Sequence, residues 1–183
     1  MQRYSRVLAF LLIFLMIFSF CGCGQKSESP LSGKWAYIHD TEKNIISIGN
    51  NGKAEYEGEK YKFTNDDTFI YLTKDNKESK FRYELNKDGF LFYITTEYDY
   101  KGENTPDGII GEWVNQANKW YYEFTEEGTF NEDGFFQGHY TIDTDNSRIK
   151  LAYNDHFVDT YIYYSLNGNT LTIEYPWQMV EAE

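Results

Sequence analysis

Short segments in which apolar and polar residues alternate place the strongest constraint on the fold of this chain. The alternation is clear in residues 81–85 (FRYEL), 120–124 (WYYEF), 148–153 (RIKLAY) and 170–175 (TLTIEY). A period of two puts one face of a strand on a core and the other face in water. The sequence therefore predicts an all-β chain, an antiparallel meander of sheets or a barrel, with about five or six short strands in each half.

Turn-forming residues separate these segments. They include Asn51-Gly52, Asp88-Gly89, Glu127-Gly128, Asp133-Gly134 and Asn167-Gly168. Glycine and asparagine tolerate the positive φ angles that tight hairpins require. The polar triplets Asn65-Asp66-Asp67 and Asn131-Glu132-Asp133 are also predicted to be hairpin turns. Because proline cannot donate to a β ladder, Pro30, Pro106 and Pro176 are expected at the margins of sheets.

The two halves of the chain share motifs in the same order. Residues 31–35 (LSGKW) and 109–113 (IIGEW) both read apolar-x-Gly-x-Trp, 78 positions apart. Residues 81–92 and 162–173 each read strand, turn, strand. The economical interpretation is a tandem duplication, with repeat 1 at 31–100, a linker at 101–108 and repeat 2 at 109–180. Trp35 and Trp113 are expected to pack at the ends of the sheets, where a glycine allows close approach of the backbone.

The N-terminus carries an export signal. Arg3 and Arg6 precede an apolar run at 7–20 that is shorter than the roughly 20 residues of a membrane span but suits a signal-peptide core. Residues 20–23 (FCGC) then resemble the bacterial lipobox, with an apolar residue at −3 and small residues before the cysteine. The resemblance implies a signal peptide at 1–22, a lipidated (palmitate-bearing) Cys23, a polar spacer to residue 30 and an extracytoplasmic chain anchored to the cell membrane. An ordinary cleaved signal peptide without lipid is the alternative.

A wider resemblance covers residues 31–177. The chain is similar to small lipocalin-like β domains of unknown function that recur, often in tandem, in lipoproteins of Gram-positive bacteria. The similarity lies in residues 33–35 (GKW) and 111–113 (GEW), in 127–130 (EGTF) with 138–140 (GHY), and in the closing hairpins. It implies two lipocalin-like repeats and carries no specific activity with it.

Charge and composition argue against several functions. The chain has a net charge of −12, which becomes −14 once residues 1–22 and their two arginines are removed. Such a surface repels phosphate backbones, so nucleic-acid binding is not expected. No cysteine follows Cys23, which excludes a disulfide framework and a cysteine-based metal site.

No motif points to catalysis, a metal or a cofactor. His39, His139 and His156 stand far apart in the sequence and do not form a zinc motif. The segment from Asp143 begins like a calcium-binding EF-hand loop but has Arg148 in place of the required glycine. There is no nucleophile elbow and no phosphate-binding loop. The chain is therefore not expected to be an enzyme.

Aromatic residues are the remaining candidates for binding. They make up 19% of the chain, with 17 Tyr and 14 Phe, and they occur on both faces of some predicted strands. The candidate surface comprises Trp120, Tyr121, Tyr161 and Tyr163, whose rings could stack on sugars or seat a partner protein. Alternatively, these side chains pack at strand edges with their polar atoms in water. The sequence favours a binding module for an envelope component, a small ligand or a protein, with a purely structural or protein-interaction domain without a pocket as the alternative.

Overall fold

The computed structural model describes residues 29–154 and 157–183. The predicted signal peptide, Cys23, residues 24–28 of the spacer and His156 lie outside the described residues. Within that part of the chain the structure contains fourteen antiparallel strands and no helix. The all-β meander predicted from the period of two is confirmed. No helix among the described residues has the length and apolarity needed to cross a membrane.

Seven strands lie in each half of the chain. The first seven are β1 (Gly33–Tyr37), β2 (Ile46–Gly49), β3 (Lys53–Tyr56), β4 (Glu59–Asn65), β5 (Phe69–Lys74), β6 (Lys77–Asn86) and β7 (Gly89–Tyr100). The second seven are β8 (Gly111–Val114), β9 (Tyr121–Phe124), β10 (Thr129–Glu132), β11 (Phe136–Asp143), β12 (Arg148–Tyr153), β13 (Thr160–Asn167) and β14 (Thr170–Glu181).

The prediction of five or six strands per half was wrong because some strands lack a clear alternation. In β4 the side chain of Phe63 is the one that is buried, and its neighbours are largely polar and exposed. The hairpins marked by glycine were predicted correctly. Asn86 pairs with Gly89 at the β6–β7 turn, and Asn167 pairs with Thr170 at the β13–β14 turn.

The strands form a closed ring that is joined across its middle. Consecutive strands pair throughout, and β1 pairs with β14 to close the ring. In addition, β7 pairs with β14 over ten positions, from Asp99 opposite Thr170 to Phe90 opposite Met179. This cross-pairing divides the ring into two circuits of eight strands. One circuit contains β1–β7 with β14, and the other contains β8–β14 with β7.

Each circuit buries its own set of apolar side chains. The first buries residues including Trp35, Phe63, Ile70, Phe90, Phe92 and Met179. The second buries a cluster including Trp113, Tyr122, Phe124, Ile149, Ile162 and Leu171. Eight strands enclose an interior that is just wide enough to be filled by side chains or to hold one small ligand. Residues 32–183 form one compact unit.

Trp113 shows how the glycine-x-tryptophan motif is used. The indole is fully buried, and its Nε1–H donates a hydrogen bond of 2.7 Å to the carbonyl oxygen of Ile109. Its ring lies 5.0 Å from that of Tyr100. Gly111 has a φ of +120°, and a Cβ atom built there would lie 2.5 Å from the Tyr100 ring. A side chain at position 111 would therefore displace Tyr100 from its contact with the tryptophan.

The expected position of Pro176 was wrong, since this proline lies inside β14. It is tolerated because its backbone nitrogen faces the edge of β14 that has no partner strand at this position. The carbonyl of Gln178 accepts a hydrogen bond from the backbone N–H of Ile38, so the backbone groups of alternate residues 176 and 178 face the β1 side of the strand. On that side β13 pairs only as far as Glu174, and β1 begins to pair at Met179. The missing N–H therefore falls where no strand lies opposite.

We expect Trp113→Ala to lower the free energy of unfolding by about 3–5 kcal/mol, the range for removing a large buried aromatic side chain. Trp177→Ala is the matched control, because Trp177 is 40% exposed and should cost much less. Urea denaturation of the full chain in non-ionic detergent, followed by circular dichroism, measures both. Equal losses for the two variants would contradict the assignment of Trp113 to the core.

We expect residues 31–100 and residues 109–180 not to fold when they are produced separately. The first fragment lacks β14 and the second lacks β7, so each circuit would be left open with an unpaired edge on its longest strand. Thermal melts of the two fragments beside the intact chain provide the measurement. A cooperative transition in either fragment alone would show that the cross-pairing is dispensable.

Candidate functional site

A cleft lies where β14 changes partner. Between Glu174 and Met179 this strand has left β13 and has not yet joined β1. The resulting depression, which we call the junction cleft, has a volume of about 610 Å³. Its lining includes Tyr37, Leu91, Arg148, Tyr161, Tyr175 and Trp177. The size is typical of small-molecule sites.

Aromatic rings form one wall of the junction cleft. The ring of Trp177 lies 5.4 Å from that of Tyr37 and 5.8 Å from that of Tyr175. Trp177 is nevertheless 40% exposed, so it presents a ring to the open side of the cleft. A half-covered indole gives a ligand a large contact area, and its ring is already held in place by its neighbours before the ligand binds.

Charged side chains beside the cleft connect the two halves of the chain. Arg82 Nε on β6 lies 2.6 Å from Glu174 Oε2 on β14, and both side chains are largely covered. The guanidinium group also lies 3.8 Å from the centre of the Tyr163 ring on β13. The Tyr163 hydroxyl donates a 2.9 Å hydrogen bond to Glu84 Oε1 on β6. These contacts hold β6 and β13 in place on either side of the β7–β14 pair.

A second, smaller depression adjoins the junction cleft. It has a volume of about 320 Å³, and we call it the carboxylate pocket. Its described lining residues are Glu132, Phe136, Tyr153, Phe157, Val158, Thr160 and Tyr175. Val158, Thr160 and Tyr175 also border the junction cleft, so the two depressions are contiguous there.

Glu132 is the one buried charged residue in the part of the chain that the structure describes, with 7% of its surface exposed. Its Oε1 accepts a 2.7 Å hydrogen bond from the Tyr122 hydroxyl, and its Oε2 accepts one of 3.2 Å from the Tyr153 hydroxyl. Burial raises the pKa of Glu132 above its ordinary value, and the hydrogen bonds from Tyr122 and Tyr153, together with the nearby Trp120 side chain, oppose that rise.

The prediction that residues 131–133 form a turn was wrong. β10 continues through Glu132, and the chain turns only at Asp133, which has a φ of +52°. Phe130 and Glu132 face inward together, as residues two apart on a strand must. The position of Glu132 two residues after Phe130 was the sequence signal that could have identified it as an inward-facing carboxylate.

The structure places the four aromatic residues of the predicted binding surface in two separate parts of the sheet, with Tyr161 and Tyr163 on β13 and Trp120 and Tyr121 at β9. Tyr161 is 46% exposed and lines the junction cleft, with the guanidinium carbon of Arg148 5.3 Å from its ring centre. Tyr163 packs against Tyr93, with the ring centres 5.4 Å apart. Three strands separate β13 from β9, which carries Tyr121.

Trp120 and Tyr121 therefore belong to a different part of the sheet. Trp120 is half-buried against the core of the second circuit and contacts Glu132. The Tyr121 hydroxyl accepts a long hydrogen bond of 3.4 Å from the side-chain amide of Asn131. The four residues do not form one continuous strip. Their role in binding stays a prediction, with Tyr161 at the junction cleft and Trp120 behind the carboxylate pocket.

The residues considered for metal binding also lie apart. His39 lines the junction cleft, and His139 is exposed on β11. The carboxylate of Asp143 accepts hydrogen bonds from Asn146 and lies 3.0 Å from Arg148 Nη2; these contacts, the Asn146 bond first, lower the pKa of Asp143. Among the described residues, no three or more histidine, cysteine or acidic side chains converge on one point.

Comparison with known proteins gives no relative for this chain. No protein-family model, no curated protein sequence and no solved structure matches it.

We expect the stability of the wild-type protein, relative to Glu132→Gln, to fall as the pH rises above 4.5. Because burial raises the pKa of Glu132 from its ordinary 4.5, the folded state binds this proton more tightly than the unfolded state. The contribution of Glu132 to the free energy of unfolding is then greatest below pH 4.5. It decreases with rising pH until the pH exceeds the pKa of Glu132 in the folded protein. Urea unfolding of both proteins from pH 4 to pH 8 measures the difference.

Glu78→Gln is the control for this experiment, because Glu78 is an exposed carboxylate on β6. A pH dependence of the same size for Glu78→Gln would show that burial is not the cause of the effect. If the stability difference between the wild type and Glu132→Gln stays constant from pH 4 to pH 8, burial of Glu132 does not perturb its titration.

Proposed function

We propose that this chain is a lipid-anchored, extracytoplasmic binding module whose junction cleft holds a small, partly apolar ligand. The observation that carries the proposal is the cleft itself, a depression of about 610 Å³ walled by half-exposed aromatic rings. Anchoring rests on the apolar run at 7–20 and the lipobox-like residues 20–23. The ligand would come from the cell envelope, where the anchor holds the protein.

The proposal includes two lipocalin-like repeats after a signal peptide. Two features support it: each circuit has eight strands, and each begins with a glycine-x-tryptophan motif on its first strand. Eight-stranded circuits of this size are able to hold one small ligand. The repeats would not be independent domains, because β7 and β14 each take part in both circuits.

Two other functions compete with ligand binding. A purely structural or protein-interaction role would need no pocket, and the aromatic cleft at the partner change of β14 favours ligand binding over it. An enzyme would need a nucleophile or an acid–base pair at the cleft. We propose no catalytic activity, because the sequence carries neither a nucleophile elbow nor a zinc-binding motif.

We expect Cys23→Ser to release the protein from the membrane or to leave it as an uncleaved precursor. Two acyl chains give a stable anchor, whereas one holds only marginally, at about 0.8 kcal/mol for each buried CH₂ group. Membrane fractionation and intact-mass analysis of the mature N-terminus provide the measurement. An unmodified N-terminus at a residue other than Cys23 would contradict the proposed anchor.

We expect Trp177→Ala and Tyr161→Ser to abolish binding of ligands that occupy the junction cleft. Both side chains line the cleft and are partly exposed, so their loss should reduce contact area more than it reduces stability. Ligand-observed NMR with a panel of small amphipathic molecules, using the full chain in non-ionic detergent, identifies the binders and then compares the variants.

Ile142→Ser is the control, because Ile142 is similarly exposed, at 43%, on β11 outside the cleft lining. Binding should survive this change. If no molecule of the panel binds the wild-type protein, or if the cleft variants bind as well as the wild type, the cleft is not the ligand site.

A further inference from the structure

The carboxylate pocket combines two features that a small apolar ligand would not require. Its lining contains the buried carboxylate of Glu132 and several aromatic rings. The ring centres of Phe136 and Phe157 are 5.2 Å apart, and the ring of Tyr153 lies 6.2 Å from Phe136 and 6.0 Å from Phe157. Three mutually contacting rings and one buried carboxylate therefore line the same pocket.

Among the residues that the structure describes, the carboxylate has hydrogen-bond donors but no cation beside it. Within residues 29–154 and 157–183, no lysine, arginine or histidine forms an ion pair with Glu132. The hydroxyl groups of Tyr122 and Tyr153 each occupy one carboxylate oxygen. Since each oxygen accepts two hydrogen bonds, the group can still accept a donor from the pocket.

Both features favour the same kind of ligand. A buried carboxylate attracts a positive charge, and so do the faces of aromatic rings, which recognise ammonium groups in particular. A neutral apolar ligand would cover Glu132 without compensating its lost hydration, which is unfavourable. An anion would be repelled by Glu132, by the neighbouring Asp133 and by a chain with a net charge of −12.

We propose that the carboxylate pocket binds an organic ammonium group, with its nitrogen beside Glu132 and its alkyl carbons against Phe136, Tyr153 and Phe157. This inference rests on the proposed function as a ligand-binding module and specifies the chemistry of the part of the ligand that enters this pocket. The remainder of such a ligand would extend past Tyr175 into the junction cleft, because Tyr175 borders both depressions. A volume of about 320 Å³ suits a small head group.

The test is a titration of the full chain, in non-ionic detergent, with choline and with 3,3-dimethylbutan-1-ol. The two probes have nearly the same shape, but the second has carbon in place of the charged nitrogen. We expect choline to bind at least tenfold more tightly than the neutral probe, measured by calorimetry and by saturation transfer from aromatic protons. Equal affinity, or no saturable binding of any ammonium probe, would overturn the proposal.

Two variants separate the charge from the rings. Glu132→Gln should weaken choline binding at least tenfold, while Glu78→Gln, which changes the net charge equally at an exposed site, should alter it less than twofold. Phe136→Leu keeps an apolar wall but removes one ring, so it should weaken choline binding and leave the neutral probe unaffected. It also keeps the test decisive if Glu132→Gln does not fold. Unchanged choline affinity in a folded Glu132→Gln or Phe136→Leu variant would overturn the proposal.

Pentylammonium distinguishes the two kinds of ammonium group. Tighter binding of this primary amine would support a ligand that donates hydrogen bonds to Glu132, whereas tighter binding of choline would support a quaternary ammonium held mainly by the rings. Failure of this inference is distinct from failure of the proposed function. A ligand whose affinity depends on Trp177 but not on Glu132 would support the proposed binding module and contradict the ammonium site.

Discussion

The ten-position pairing between β7 and β14 is the constraint on which the rest of the structure depends. Each strand is twelve residues long and keeps the other as its partner on one edge, while its second edge changes partner partway along. β7 passes from β6 to β8, and β14 passes from β13 to β1. Each half is therefore closed by a strand from the other half, and the described part of the sheet leaves no long free edge for another chain to pair with.

The location of the cleft follows from this arrangement. A strand cannot leave one partner and join another at the same residue, because the two incoming strands need space on the same edge. In β14 the interval between Glu174 and Met179 is long enough to hold Pro176 without losing a ladder hydrogen bond. Beside the cleft, Arg82 on β6 pairs with Glu174 on β14 and packs on the Tyr163 ring of β13, which ties these strands together. The aromatic cleft is thus a consequence of topology, and its rings belong to strands that the cross-pairing fixes.

The sequence predicted what is local and missed what depends on distant partners. The turn at Asn167-Gly168 and the alternation in β12 are properties of a few neighbouring residues, and both were predicted correctly. The pairing of β7 with β14 joins residues about 80 positions apart, and neither strand has a sequence feature that identifies its partner. Because that pairing was not foreseen, Pro176 was expected at a margin. The same limit applies to the site: Tyr161 was proposed because aromatic residues occur on both faces of its strand, whereas Glu132 was assigned to a turn because it stands in a polar triplet.

Glu132 also shows why the candidate site is more than a gap in packing. A buried carboxylate is unfavourable unless its hydrogen bonds are satisfied, and an apolar residue of similar size would often stabilise a core better. Here the hydroxyl groups of Tyr122 and Tyr153 donate hydrogen bonds to it, so the second circuit replaces part of the hydration that the carboxyl group loses on burial. A network that served the core alone would be enclosed on every side. This one borders a pocket walled by Phe136 and Phe157, which leaves the charge within reach of a ligand.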